Sequence, residues 1–221
     1  MTTSEPLLQV RDLRVDIGER NVLNSLSLDV EAGALLVLMG ANGSGKSTFG
    51  LALAGHPRYR VSGGSARFAG QDLLALAPHE RSRAGLFVSF QAPPDIPGVK
   101  NNLFIRSAMN AQRQARGEAP IDAFDFLADA RGAARRVGLA ETLLGRPVID
   151  GVRAVVDEVQ ALRAQGTAFV VISHYLQLIE ALQPDRVLRL ADGGIAETGA
   201  LDLARDIARH GFARAAATVG A

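Results

Sequence analysis

Cysteine is absent from the 221 residues, so neither disulfides nor thiolate metal ligands can form within this chain. Long apolar runs are absent too. The longest uninterrupted one, Ala34 to Met39, falls far short of the about 20 residues needed to span a bilayer. Met1 to Pro6 carry no basic start followed by an apolar stretch, so no secretory leader is read there and the expectation is a soluble, cytoplasmic protein without direct membrane insertion. Charge of one sign is also missing. With 24 basic against 23 acidic residues, the totals show no nucleic-acid footprint and no acidic tail. Lysine is scarce: Lys46 and Lys100 stand against 22 arginines, so against this background a lysine needs a chemical reason. No aromatic residue precedes Phe49. What remains is a chain that is 48% hydrophobic, long enough to bury a full core as one α/β unit over 1–221.

Leu8, Val10, Leu13, Val15 and Ile17 alternate with polar residues, turn at Gly18-Glu19-Arg20-Asn21, and alternate again through Val22, Leu26, Leu28 and Val30. This pattern predicts an antiparallel strand pair. Leu35 to Met39 is a short continuous apolar run, as in a strand buried on both faces, and a helix-compatible segment from Lys46 to Ala54 follows a glycine-rich turn. Strands are expected at Gly63–Phe68 and at Leu86–Phe90, the latter ending at Gln91. After the prolines 93, 94 and 97, helical sequence covers 101–116, 122–137 and 140–144. Helical spacing recurs from Gly151 to Arg163. A buried strand is expected at Ala168–Ile172, a helix at Tyr175–Leu182, a strand at Arg186–Ala191, a turn at Asp192-Gly193-Gly194 and a last helix at Leu201–Ala208.

Gly40-Ala41-Asn42-Gly43-Ser44-Gly45-Lys46-Ser47-Thr48 matches the phosphate-binding pattern G-x-x-x-x-G-K-[ST], with a predicted strand before it and a predicted helix after it. The glycines let main-chain N–H groups converge on phosphate oxygens. Lys46 sets a compact ammonium against the terminal phosphates, and Ser47 offers a hydroxyl to Mg2+. The expected cofactors are therefore ATP and Mg2+. Gln91 would reach the Mg2+ or the attacking water, or else simply end a strand. His174, after Ser173, stands at the strand edge where open α/β sheets bind ligands; it would contact the γ-phosphate, or begin a helix with Ser173 as its cap. Lys46, Gln91 and His174 are the catalytic candidates, and Ser47 with Gln91 the metal candidates. His56, His79 and His210 read as surface residues. Without an early aromatic residue, Ile17 or Val22 is left to meet the adenine.

Together, the glycine-rich loop, Gln91 and Ser173-His174 resemble the Walker A, Q-loop and H-loop of the ABC-type ATPases. Ile96-Pro97-Gly98-Val99-Lys100-Asn101-Asn102, Phe104-Ile105-Arg106, Ala115-Arg116-Gly117-Glu118, Asp122 to Phe126 and Ser173-His174-Tyr175 are similar to the SufC ATPases of iron-sulfur cluster assembly. The resemblance implies a P-loop NTPase of ABC ATPase type, an α/β fold with a mixed sheet, N-terminal antiparallel strands and a helical insertion. On that plan 1–91 and 149–221 form the nucleotide-binding core and 92–148 a truncated insertion. It further implies ATP hydrolysis, ATP-dependent homodimer contact, and cysteine-bearing scaffold partners of the SufB and SufD kind, docked near Ile96–Arg106. A chain without cysteine fits that division of labour.

Two elements of the ABC pattern are not in their places. Val61-Ser62-Gly63-Gly64-Ser65 imitates the signature motif but leads into strand-like sequence and is read as a turn. Ala154-Val155-Val156-Asp157-Glu158 imitates Walker B, yet its valines continue a helical period. In the family pattern the signature and the Walker B strand fall between residues equivalent to Val148 and Ile149, which here are adjacent. The central Walker B strand is thus expected to be missing, removing a ladder partner beside the P-loop strand. The dimer contact is then impaired and hydrolysis poor. Other readings are the ATPase subunit of a membrane transporter and a catalytically inactive nucleotide-binding or interaction module.

Overall fold

The computed structural model describes residues 5–89, 101–136 and 152–212. Its first sheet grows from the alternating N-terminal segments, β1 (Leu8–Ile17) and β2 (Arg20–Val30), paired antiparallel. Ile17 faces Arg20 across a two-residue loop in which Gly18 takes a φ of 60°, so the turn is tighter than the four residues expected. β4 (Arg60–Phe68) adds to the other edge of β1, followed by the short β5 (Gln71–Asp72). The expected turn at Val61–Ser65 is therefore a strand. Its glycines serve a bulge: Gly64 has a φ of 84°, and a Cβ there would lie 2.4 Å from the Asp12 carbonyl oxygen. A signature motif has no place in such a ladder.

The second sheet runs β6 (Phe169–Ile172), β3 (Leu35–Gly40), β7 (Arg186–Ala191), β8 (Gly194–Gly199). All six residues of β3 are buried, as its unbroken apolar run requires. Alternate side chains serve two cores. Leu36 and Leu38 join the N-terminal sheet and α1 (Lys46–Leu53), whereas Leu35, Val37 and Met39 join α6 (Leu176–Leu182) and α7 (Leu201–His210). The entrance to β3 is clamped by Asp185, which accepts the Leu35 N–H at 2.6 Å and pairs with Arg163 of α5 (Val152–Ala164) at 2.6 Å. Arg163 also donates to the Gly33 carbonyl at 2.9 Å.

Three expectations change here. β3 is paired in parallel on both sides, with β6 and with β7, so among the described residues it is the outer edge of β6 that lacks a ladder partner on this side of the sheet, and not the P-loop strand. Leu86–Ser89 form no strand: Leu86 is half-buried and Phe87 is 78% exposed, because no described strand stands next to them to share a ladder. β8, with Ile195 as its one large apolar residue, was not legible from alternation; it forms because the Asp192-Gly193 turn folds it back on β7. The decoy at Ala154–Glu158 does lie in a helix, α5, as its period predicts.

A short helix, α2 (Pro78–Arg83), precedes α3 (Asn101–Ala115) and α4 (Ala123–Arg136). Asp122 caps α4 by accepting the N–H groups of Phe124 and Asp125 at 2.8 and 2.9 Å. The α3–α4 loop is held where the Asn110 side chain pairs with both main-chain groups of Ile121, at 3.1 and 2.7 Å. Leu103, Phe104, Ile105 and Phe124 stay half or more exposed on this unit. The expected helix at 140–144 and the Val148–Ile149 junction lie outside the described residues.

Candidate functional site

β3 delivers the chain to Gly40 and α1 takes it up at Lys46, so the motif forms the turn between a buried strand and a helix N-terminus. Its glycines are required individually. At Gly40 a Cβ would lie 2.5 Å from Ser44 Oγ and 2.7 Å from the Leu190 carbonyl oxygen, and at Gly45 it would lie 2.5 Å from Leu23 Cδ2. Gly43 and Gly45 also take φ values of 81° and 104°. Gly45 occupies the cap position of α1 without a side-chain cap, and no acidic residue lies in the first turn. The first N–H groups of the helix therefore keep their capacity for an anion, and no carboxylate competes.

Lys46 lies over this loop. Its Nζ donates to the carbonyls of Gly40 and Ala41, both at 2.7 Å, and reaches Ser44 Oγ at 3.4 Å. Partial burial pulls its pKa below the ordinary lysine range. Ser47 is exposed at the start of α1, and Thr48 is buried beneath it. The uncapped N-terminal N–H groups of α1, beside one compact, partly desolvated ammonium, suit the oxygens of a phosphate chain. The donor set fits ATP, whose phosphates Lys46, Ser47 and the loop amides would hold.

Beside the loop lies a cavity of about 390 Å³, lined among others by Arg20, Asn21, Val22, Asn42, Asp192 and Phe212. Of the two apolar candidates for adenine, Val22 lines this cavity and Ile17 does not. Phe212 is an aromatic neighbour that no local pattern could have assigned to the loop, since it arrives from just beyond α7.

Parallel pairing sets Ile172 opposite Leu38. His174 follows two residues after the end of β6, at the sheet edge where β3 runs on into the glycine loop. It is exposed and stacks on Tyr175 with ring centroids 4.6 Å apart. Ser173 is not the cap of α6: that position belongs to Tyr175, whose N–H donates to Ser173 Oγ at 3.1 Å. Gln91 lies outside the described residues. Among the other histidines, His79 and His210 are exposed, while His56 is half-buried edge-on to Tyr59. Among the described residues no cluster of His, Asp and Glu could hold a metal by itself, and no helix is long and apolar enough to cross a membrane.

The family model described as ABC transporter matches residues 23–150, more than half of the chain. The "Probable ATP-dependent transporter SufC" of Escherichia coli K12 is 34% identical over 241 residues, covering 93% of this chain and 97% of that protein. Because 93% of 221 residues cannot fill 241 positions, the alignment runs through positions that only the relative occupies. "Probable ATP-dependent transporter slr0075" of Synechocystis is 32% identical, covering 95% of each. Among solved structures, a nucleotide-free ATP-binding cassette from an ABC transporter superposes with a TM-score of 0.66 at 19% identity, covering 92% of this chain and 95% of that one. The ATP-binding cassette MJ0796 bound to ADP and Pi gives 0.70 at 14% identity, covering 88% and 98%. These two likenesses speak for the fold.

Proposed function

We propose that this chain, which belongs to the ABC transporter family of ATPases and within it to the SufC group, is the ATP-binding subunit of a cytoplasmic iron-sulfur cluster assembly complex. The observation that carries the reading is the loop from Gly40 to Thr48, where two glycines stand at positions that exclude a Cβ and Lys46 caps the turn. In this reading the loop amides and Lys46 hold the phosphates, Ser47 and Gln91 serve Mg2+, and His174 meets the γ-phosphate. Residues 92–148 act as a truncated docking insertion, and scaffold chains of the SufB and SufD kind bind near Ile96–Arg106, where Leu103, Phe104 and Ile105 are about half exposed. Those partners supply the cysteines that this chain lacks.

Turnover is slow in this reading. Asp157 and Glu158 fall within helix α5 instead of ending a strand, and loss of a water-activating carboxylate costs about 10²- to 10⁴-fold. The same observation favours a second reading, a nucleotide-binding module that does not hydrolyse. Titration calorimetry with Mg-ATP tests the first step. The unaltered chain should bind, and Lys46→Ala should weaken binding by roughly tenfold to a hundredfold through loss of a charge-assisted bond. No heat with ATP, or equal affinity in the variant, removes the proposal. Hydrolysis equal to that of a chain carrying the family's full signature and Walker B segment would refute slow turnover. Co-purification with a permease in place of a cysteine-bearing scaffold would turn the reading towards a transporter.

A further inference from the structure

The P-loop helix begins at the candidate phosphate site and ends on a buried cation. Arg81 of α2 is 7% exposed, and its Nη1 donates to the carbonyls of Ala52 and Leu53, both at 3.0 Å, at the C-terminal end of α1. Its Nε donates to the Leu76 carbonyl at 2.9 Å and its Nη2 to that of Leu74 at 3.3 Å. All four acceptors are main-chain carbonyls, so the fork joins the end of α1 to the loop that leads into α2. The partial negative charge of that helix end compensates the cation. Burial still pulls its pKa below the usual arginine range, with Asp72 opposing. Gly55 makes room: its φ is 76°, and a Cβ there would lie 3.1 Å from Arg81 Cζ.

From Arg81 the connection continues outward. The Leu86 N–H donates to the Arg81 carbonyl at 3.0 Å. α2 packs on α3, where the Gln112 amide reaches the Ser82 carbonyl at 3.4 Å. We infer that Arg81 is a positioning residue that couples the P-loop helix to the helical unit of α3 and α4, so that phosphate binding at one end of α1 is felt in α3. The inference rests on the nucleotide-binding reading. An eight-residue helix is a rod of about 12 Å, so a shift at its phosphate end is carried to its far end. There the planar guanidinium bridges the end of α1 and the loop leading into α2, as a lysine's point charge could not, and α2 carries the link to α3.

Hydrogen exchange on the full chain, with and without Mg-ATP, tests this. In the unaltered protein, ATP should slow exchange in α1 and also across 101–115. In Arg81→Met, ATP affinity should stay within about threefold, since the site is distant from the phosphates. α1 should still be slowed, and the slowing across 101–115 should be lost. If that variant does not fold, Gly55→Ala keeps the guanidinium but crowds its Cζ, and should reduce the same slowing. Slowing of α3 that persists in the variant that folds, even with a lower melting temperature, makes Arg81 merely structural and overturns the coupling. Binding without any slowing of α3 in the unaltered protein overturns the coupling alone, whereas absence of ATP binding overturns the nucleotide reading with it.

Discussion

Strands β6 and β7 both pair in parallel with β3, yet their surroundings differ. Along β7, Val187, Leu188, Arg189 and Leu190 are buried, β8 covers the outer edge, and the buried Arg189 is held by Glu197 at 3.0 Å. Along β6, Phe169, Val170 and Val171 are half-buried and Ile172 is 44% exposed, with no described strand on the outer side. The glycine loop leans on the finished flank. Gly40 packs against Leu190, Gly45 against Leu23 of β2, and Lys46 closes on the carbonyls of its own loop. His174 depends on the thin flank. The glycine loop and His174 thus rest on parts of the sheet that differ in support.

The largest expected break in this comparison is Leu188→Ala on the finished flank, which should cost about 2–5 kcal/mol in denaturant unfolding through a cavity in the first core. Ile172→Ala on the other flank should change stability by no more than about 0.5 kcal/mol, since the side chain is partly solvated already. Equal costs would mean that the outer edge of β6 is covered. Next comes Gly45→Ala, expected to cost about 1–3 kcal/mol because it strains a positive φ and drives a Cβ into Leu23. The same variant should weaken ATP binding in calorimetry; unchanged affinity would detach the glycine from the site.

The smallest effect concerns pH. Asp16, buried at the end of the β1–β2 hairpin, accepts from Asn21 at 2.8 Å and pairs with Arg60 of β4 at 2.7 Å. The Asn21 amide lowers its pKa most; burial opposes this, and Ser62 and Arg60 add to the lowering. A carboxyl whose folded pKa lies below its unfolded value contributes stability that is present above the unfolded value and lost as pH falls through the folded one. Asp16→Asn should therefore flatten the acid limb of the stability curve. An acid limb unchanged from that of the parent would show that Asp16 does not contribute to it.

Much was legible from residues alone, because local physics decided it. Alternation dictated β1 and β2, the apolar run dictated β3, and the spacing of glycines before Lys46 dictated a tight turn from strand to helix, each depending only on near neighbours in the chain. The helical period likewise exposed Ala154–Glu158 as an imitation. Tertiary structure decided what depends on who stands beside whom. Leu86–Ser89 carry a strand's composition but form none, with no ladder partner among the described residues, Val61–Ser65 carry turn residues yet become a bulged strand because β1 stands beside them, and β8 forms only because β7 does. The neighbours of β3, the arrival of Phe212 near the loop and the grip of Arg81 on the end of α1 all join residues far apart in sequence. Hydrogen bonds and packing between such residues have no period to read, so only the folded chain could bring them together.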